Sequence, residues 1–293
     1  MTKKRIGVVG LPGAWSTELL ASAIEERTGF RLVIDLGKVV VELDKGRIRA
    51  GDAELTELDA LIVKKVDVVY DPNSLDRIEV LRYLESQGVK CFSKPRAIYG
   101  LIDRLSCTVS LRAGGIRMPP TVITENVQEA CLAVERFGAA VFKPLYSTKA
   151  RGMAVIKAGM DMRTEVEAFK AAGNRTMYIQ QKLDLGDRDY GVTFLGGEHL
   201  ATYARVKASE TWNTTIHSGG HYARHEPSPE MLDLANRAQA IFGLDFTTVD
   251  VIDTVDGPAV LEVSAFGGFR GLKEGCGLDA AALYADHVLA QLG

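Results

Sequence analysis

The sequence lacks an apolar run long enough to cross a membrane, which takes about 20 consecutive residues. Its first residues, Met1 to Arg5, are basic, but the apolar stretch that follows is broken at Gly10 and Pro12. A signal peptide needs an apolar region of roughly 7–15 residues and a small-residue cleavage site. We therefore expect a soluble, cytoplasmic protein with no membrane partner.

Cysteine is scarce, and its four positions show no pairing pattern: Cys91, Cys107, Cys131 and Cys276. No Cys-x-x-Cys motif occurs, and no cysteine–histidine cluster has the spacing of a zinc finger. This distribution argues against a disulfide scaffold and fits a reducing compartment. A Ser–His–Asp or Cys–His motif is also lacking, so no nucleophilic side chain is indicated.

An excess of positive charge is missing too, because 38 acidic residues outnumber 35 lysines and arginines. Binding to a phosphate backbone draws its affinity from lysine and arginine. The balance therefore argues against a general nucleic-acid binder and leaves room only for a local basic pocket.

What the sequence does have is a large apolar fraction, 46% of its 293 residues. A chain of this size forms one large domain or two to three lobes with a sizeable core. Up to residue 95, short β-branched runs such as Ile6–Val9 and Ala60–Val63 alternate with helical patterns such as Leu75–Leu84. We expect a small parallel sheet covered by helices, with Ser16 as the N-cap of the first helix.

The pattern changes after residue 95. A helix is predicted over Ile102–Leu111 and another over Val127–Phe137. Strands Gly191–Leu195 and Leu200–Val206 flank Gly196-Gly197, which favours antiparallel pairing. The fold class is therefore α/β first and α+β afterwards.

Three glycines follow the first predicted strand: Gly7, Gly10 and Gly13. A glycine turn that leads into a helix can bind phosphate. The spacing is not Gly-x-Gly-x-x-Gly, however, and Pro12 interrupts it. We therefore favour a structural turn at the edge of the parallel sheet.

A lysine ends an apolar strand at Lys143, and a small, basic loop follows from Ser147 to Gly152. Buried lysines are rare without a partner. A loop of this kind can close over phosphates through its N–H groups and its positive side chains. An ordinary hairpin with a solvated basic tip explains the segment equally well, and both interpretations stay open.

Two carboxylates lie inside neighbouring apolar strands near the C-terminus, Asp250 in Thr248–Ile252 and Glu262 in Val260–Ser264. Either acid alone could lie on an exposed sheet face. Two acids that face one site repel each other unless a cation lies between them. Mg²⁺ prefers oxygen ligands and commonly shares them with substrate phosphates, so this pair is a candidate magnesium site.

Histidines cluster at His217, His221 and His225. A His-x-x-x-His pair binds zinc when it lies on a helix. This segment is rich in glycine and is predicted to be a loop, so we favour histidines near a substrate over a zinc site.

Taken together, these motifs resemble the ATP-grasp superfamily, and within it the RimK-type α-L-glutamate ligases. The resemblance covers most of the chain and is best from about Ala97 onward. The segments that carry it are Asp103-Arg104-Leu105, Val141-Phe142-Lys143-Pro144, Ile179-Gln180-Gln181-Lys182-Leu183, Asp189, His217-Ser218-Gly219-Gly220, Thr248-Val249-Asp250-Val251 and Leu261-Glu262-Val263-Ser264-Ala265.

The resemblance implies an ATP-grasp fold of three lobes. Residues 1–95 would form a Rossmann-like N-terminal α/β lobe, the pre-ATP-grasp lobe. Residues 96–183 and 184–293 would form the two lobes that hold ATP between them, the second carrying the metal site.

The resemblance also implies roles for individual residues. ATP would be bound by Arg104, Lys143, Thr148, Arg151, Gly152, Gln181, Lys182, Leu183 and Asp189. The γ-phosphate or the acyl phosphate would meet the catalytic candidates Arg205 and Lys207. Mg²⁺, or Mn²⁺ in its place, would be bound by Asp250, Glu262 and Ser264.

The chain departs from the family pattern at four positions. Arg104 stands where the family usually has a lysine. Ser264 stands where the family has a metal-binding asparagine, Gly191 where an arginine is usual, and Gly267 where a proline is common. Serine offers a shorter, neutral oxygen. These differences indicate a divergent subfamily.

The implied activity is ATP-dependent ligation of a carboxylate to an amine through an acyl phosphate. The acceptor would be a small-molecule or peptide carboxylate, and the amine glutamate or another amino acid, in a protein that is a candidate homo-oligomer. Two alternatives remain: an ATP-grasp kinase for a small molecule, and a non-catalytic ATP-binding regulatory protein.

Overall fold

A computed structural model of the chain describes residues 3–147, 150–184, 186–208 and 219–293. Its secondary structure up to residue 92 forms two sheets, one of which is parallel throughout and has the order β2-β1-β6-β7. The elements of this region are β1 (Ile6–Val9), α1 (Trp15–Thr28), β2 (Val33–Ile34), β3 (Val39–Glu42), β4 (Arg47–Ala50), β5 (Ala53–Glu54), β6 (Ala60–Val63), α2 (Asn73–Ser86) and β7 (Lys90–Phe92).

The predicted parallel sheet is confirmed, and its central strands β1 and β6 are buried along their whole length. Such continuous apolar runs are typical of strands covered on both faces. The N-cap prediction is wrong, because helix α1 begins at Trp15, so that Ser16 lies in its first turn, and its N-cap is Ala14, which makes no side-chain capping bond. The small antiparallel sheet β3-β4-β5 was not predicted.

The central region forms a four-stranded antiparallel sheet of order β10-β9-β11-β8. Helices α5 and α6 pack against this sheet around Val134, Val166 and Phe142. The elements of this region are α3 (Pro95–Ile102), α4 (Arg104–Ala113), β8 (Thr121–Thr124), α5 (Val127–Phe137), β9 (Ala139–Lys143), β10 (Ala154–Lys157), α6 (Met162–Ala171) and β11 (Met177–Gln181).

The helix predicted over Ile102–Leu111 is found as α4, Arg104–Ala113, and Ile102 belongs to the separate helix α3. Asp103 lies between them in an extended conformation, and its carboxylate accepts the Leu105 N–H at 2.9 Å. This is the usual N-cap arrangement of aspartate. Pro95 opens α3 instead of breaking the structure, as proline can at the first helical position.

The C-terminal region forms a five-stranded antiparallel sheet of order β14-β13-β12-β15-β16. Gly196 and Gly197, both at positive φ, make the predicted turn between β12 and β13. The elements of this region are β12 (Arg188–Leu195), β13 (Glu198–Val206), β14 (His221–His225), α7 (Pro229–Ala240), β15 (Phe246–Thr254), β16 (Gly257–Ser264), α8 (Phe269–Cys276) and α9 (Ala280–Leu292).

The parallel sheet packs onto the C-terminal region through one continuous apolar cluster, which includes Ile6, Phe92, Phe246 and Tyr284. The Asp245 N–H also donates to the Ser93 hydroxyl at 2.8 Å. Among the described residues, no helix combines the length and the hydropathy that a membrane span requires. This packing brings the carboxyl edge of the parallel sheet next to the end of strand β16.

Candidate active site

The two candidate metal ligands lie on neighbouring strands. Asp250 of β15 and Glu262 of β16 are directly opposite each other in the antiparallel register, just before an irregularity at Asp250/Val251. Directly opposite residues project from the same face of a sheet, with Cβ atoms about 4.5–5.5 Å apart. The expectation that the two acids face one site therefore agrees with the strand register.

Arg104, the first residue of α4, joins this acid pair to the central region. Its Nη1 donates to Glu262 Oε2 at 2.7 Å, and its Nε donates to the Pro144 carbonyl at 3.3 Å. Burial alone would raise the pKa of Glu262, but the charges of Arg104 and Lys143 outweigh it and hold that pKa below its usual value. Glu262 is therefore ionised at neutral pH.

Arg205 of β13 holds the other acid. It stands opposite Asp189 of β12 in the register and forms an ion pair with that carboxylate. Its Nη2 also lies 3.0 Å from Asp250 Oδ1. Burial raises the pKa of Asp250 to about 7; Glu262 and Asp189 add to the effect, and Arg205 opposes it.

Lys143, the last residue of β9, is 8% exposed. Its Nζ donates to Gln180 Oε1 at 2.6 Å, and the Gln180 amide donates to Thr121 Oγ1 at 3.2 Å. Burial lowers the pKa of Lys143 to about 7, and the charge of Arg104 lowers it further. Because burial disfavours the charged form of Lys143, a negative phosphate would stabilise its ammonium group more than the neutral Gln180 side chain does.

These groups surround a first cavity of about 160 Å³ between the central and C-terminal sheets. Its floor is polar and its walls are largely apolar, a combination suited to a flat base joined to a charged chain. It is lined by Arg104, Pro119, Val141, Lys143, Ala150, Met153, Gln180, Gln181, Lys182, Leu183, Asp189, Asp250, Ile252, Leu261 and Glu262.

Most of the residues predicted from the sequence thus meet at one place. Arg205 supports the first cavity from behind Asp189 and Asp250 without being among its lining residues. Lys207, Arg151 and Gly152 are not among them either; the last two lie exposed on the loop between β9 and β10. Thr148 lies outside the described residues.

The segment 181–183, which the resemblance assigns to ATP binding, begins at the end of β11. The Gln181 N–H donates to the Pro120 carbonyl at 2.8 Å, and the Lys182 N–H donates to the Ala139 carbonyl at 3.0 Å. These bonds fix the segment against both neighbouring strands.

A second cavity, of about 90 Å³, lies on the other side of the Arg104–Glu262 pair. The two cavities share Arg104, Leu261 and Glu262 as a common wall. The second is also lined by Ser264 and by the rings of Tyr70 and Phe266, whose centroids are 6.2 Å apart. A group passed between ligands in the two cavities would cross this wall.

Several of these residues were missed by sequence reasoning. Gln180 and Val141 could have been found from strand alternation, because Val141 shares a face with Lys143, and Gln180 pairs with Val141 across β9 and β11. Tyr70 and Phe266 carry no local signal, since their proximity depends on how the parallel sheet packs.

Asp250 and Glu262 are the hard oxygen donors that the site offers to a magnesium ion. Among the described residues, no group of three or more His, Cys, Asp or Glu side chains is arranged to hold a metal. Asp250 and Glu262 supply two hard oxygen donors, and each is held by an arginine. Two carboxylates fit Mg²⁺ when substrate phosphates and waters complete its shell, so the residues suit a metal that arrives with a nucleotide.

The histidine cluster gives no zinc site among the described residues. His221 and His225 belong to the edge strand β14, so the predicted loop is wrong there, and the His225 ring packs on Tyr190 with centroids 4.3 Å apart. His217 lies outside the described residues.

Two antiparallel α+β sheets that enclose a cavity of lysine, arginine and paired acids define an ATP-grasp protein. The chain belongs to the RimK-like ATP-grasp domain family, whose model matches residues 102–288. This confirms the resemblance drawn from the sequence motifs.

The chain is 27% identical to the tetrahydromethanopterin:alpha-L-glutamate ligase of Methanosarcina acetivorans, over 97% of this chain and 98% of that protein. It is also 27% identical to a probable alpha-L-glutamate ligase of Aliivibrio fischeri, over 94% of this chain and 91% of that one. The fold is similar to that of the ATP-grasp ligase PsnB in complex with minimal precursor, Mg and ADP, with a TM-score of 0.73, 20% identity and 98% of both chains covered.

Proposed function

We propose that the protein is an ATP-dependent carboxylate–amine ligase that activates an acceptor carboxylate as an acyl phosphate. The observation that carries this proposal is the wall between the two cavities, where Arg104 and Glu262 separate a cavity of about 160 Å³ from one of about 90 Å³. The family and its ligase relatives support the same reaction class.

The nucleotide would occupy the first cavity, with its base against Val141, Ile252 and Leu261 and its phosphates toward Lys143 and Arg104. Both cations are buried on the central region, so they would lose little freedom when they bind phosphate oxygens. Asp189 lies where a ribose hydroxyl could donate to it.

Asp250 and Glu262, with Ser264 beside them on β16, would hold Mg²⁺. When bound there, Mg²⁺ would supply positive charge that lowers the repulsion between the phosphates and an approaching carboxylate nucleophile. Glu262 already exposes 43% of its side chain toward the cavities, so it can accept a ligand without unfolding the site.

The acceptor carboxylate would enter the second cavity. Its oxygen attacks the γ-phosphorus, the bond to the β-phosphate oxygen breaks, and ADP leaves. The amine nitrogen then attacks the acyl carbon, phosphate departs, and the amine proton passes to solvent. Arg104 would stabilise the transferred phosphoryl group, because it lines both cavities.

The finer features follow from the same proposal. Glutamate is the first amine to test, because relatives across the family are named for it. The lobes would span 1–95, 96–183 and 184–293, the first of them Rossmann-like, in a cytoplasmic and self-associating protein. Arg205 would act by holding Asp189 and Asp250, and Lys207 by meeting a phosphate once ligands bind.

The test is product analysis of the wild-type protein with ATP, Mg²⁺, glutamate and a panel of carboxylates labelled with ¹⁸O. The proposal expects ADP, an amide and phosphate that carries ¹⁸O from the carboxylate. A stable phosphoester instead of an amide would make the protein a kinase. Tight ATP binding without turnover under the whole panel would favour a regulatory role.

A further inference from the structure

One buried amine has no part in the mechanism above. Lys64 follows strand β6 at the carboxyl edge of the parallel sheet and is 6% exposed. Its backbone N–H donates to the Val9 carbonyl at 2.8 Å, which anchors its backbone to the neighbouring strand β1. A lysine that is almost fully buried needs partners for its amino group.

Those partners lie 202 and 203 residues further along the chain, in the turn after β16. Lys64 Nζ donates to the carbonyls of Phe266 and Gly267 at 2.6 and 2.9 Å. It also lies 4.3 Å from the centre of the Phe269 ring, at the start of α8. A single side chain next to the parallel sheet therefore contacts the middle of this turn and the first residue of α8.

The turn itself leaves the candidate metal strand directly. Only Ala265 separates Ser264 from Phe266. On the other side, the Gly268 N–H donates to Thr248 Oγ1 at 3.3 Å, and Thr248 is the register partner of Ser264. The position of Ser264 is thus fixed by its own sheet and, through the turn, by Lys64.

The same turn forms part of the second cavity, since the Phe266 ring lies beside Ser264 and against Tyr70. Gly267 lies at a φ of 53° and so close to Phe246 that an added Cβ would meet the ring at 2.3 Å. The turn has little room to shift toward the core. If Lys64 were lost, the carbonyls of Phe266 and Gly267 would lose their charged donor.

We propose that Lys64 is a positioning residue, which fixes the turn at Phe266 and Gly267 and so places Ser264 and the wall of the second cavity for binding of the metal–nucleotide complex. The inference rests on the proposed function, because only a metal–nucleotide site would need the turn at Phe266 and Gly267 to be fixed by Lys64. It adds a contribution of the parallel sheet to a site that otherwise lies in the two later sheets.

The chain supplies a matched control in Lys90. This lysine begins β7, the strand next to β6, and its Nζ donates to the Gln291 carbonyl of α9 at 2.8 Å. Its amino group lies 5.0 Å from the centre of the Phe92 ring. It therefore makes contacts of the same kind, with one carbonyl and one ring, at the opposite edge of the sheet and away from the site, but it is exposed where Lys64 is buried.

The experiment compares wild type, K64M, K64R and K90M by calorimetric titration with the ATP analogue AMPPNP, in EDTA and in Mg²⁺. The ratio of the two dissociation constants measures how strongly the metal and the nucleotide cooperate. Hydrogen exchange of the 265–268 backbone is measured on the same samples. A thermal melt first confirms that each variant is folded, and K64Q replaces K64M if that variant is not.

We expect K64M to reduce the Mg²⁺ ratio about fivefold to tenfold, the effect of losing one to two hydrogen bonds of ordinary strength, and to speed exchange at 265–268. Affinity in EDTA should stay within about twofold, as should both constants of K90M. K64R, which keeps two donors, should recover most of the loss.

An unchanged ratio in folded K64M would overturn the inference, as would an equal loss in K90M or no recovery in K64R. If wild type itself shows no Mg²⁺-dependent nucleotide affinity, the proposed function fails, and this result is distinct from a wild-type effect that K64M leaves untouched.

Discussion

The two arginine–carboxylate pairs of the site are built differently. Arg205 lies in the same sheet as Asp189 and Asp250, and strand register holds all three. Arg104 reaches Glu262 from a helix of the central region, and the two residues are 158 positions apart in the sequence. The first pair is set by local strand pairing, and the second exists only when two regions of the molecule come together.

Their exposure differs in the same way. The side chains of Asp189 and Asp250 are 6% and 18% exposed, whereas that of Glu262 is 43% exposed. Buried ions depend on their partners, while ions that face a cavity can exchange a partner for a ligand. We infer that Arg205 supports the site by holding Asp189 and Asp250, and that the more exposed Arg104–Glu262 pair exchanges partners with a ligand.

The largest expected effect on stability comes from R205M, which leaves two buried carboxylates without their common partner. Breaking a buried ion pair on one side costs about 3–5 kcal/mol. Urea unfolding monitored by circular dichroism measures it. R188M removes the exposed pair with Asp187 at the start of β12, the strand that pairs with the strand of Arg205, and should change little. Equal stability of R205M and wild type would contradict a supporting role.

The next effect is on ligand binding. K143M removes the buried amine at the floor of the first cavity, so ATP affinity should fall by about 1–3 kcal/mol, the range for a hydrogen bond to a charged group or a stranded partner. Calorimetric titration with ATP gives the value. K157M, at the exposed end of β10, is the control, and an unchanged affinity in folded K143M would remove Lys143 from the site.

A smaller effect concerns pH. Burial lowers the pKa of Lys64 from 10.5 to about 7, and the charge of Lys65 contributes. Between these values the unfolded chain binds more protons than the folded one, so the free energy of unfolding rises with pH through that window. One such group contributes up to about 1.4 kcal/mol per pH unit.

Lys143 contributes in the same direction, because burial lowers its pKa to about 7 as well. K64M should therefore show a shallower rise than wild type between pH 7 and pH 9, in urea unfolding at constant ionic strength. K90M should keep the wild-type slope. The same slope in K64M and wild type would argue against a lowered pKa for Lys64.

Much of the fold could be predicted from regular local patterns in the sequence. Helix Val127–Phe137 has the predicted bounds, because apolar periodicity and the Asn126 cap specify it locally. Helix α8 was missed, since Phe269–Cys276 contains two glycines, and its order depends on packing at Phe269 and Leu272. Strand β14 was missed because it is a polar edge strand beside a glycine pair.

The candidate site divides along the same line. Asp250 and Glu262 could be paired from the sequence, because each lies in a short apolar strand and the two strands are consecutive. The contact of Arg104 with Glu262 and that of Lys64 with Phe266 join residues far apart in the chain. Such contacts are specified only by the packing of whole regions, so the spacing of residues along the sequence does not predict them.

The central claim is that Glu262, at the wall between the cavities, takes part in phosphoryl transfer. The most direct measurement is Mg²⁺-dependent ADP release by E262Q, with E274Q on the exposed face of α8 as the matched control. The amide keeps the shape and loses the charge, so we expect E262Q to stay folded and lose turnover while E274Q retains it. Wild-type turnover in folded E262Q would contradict the account.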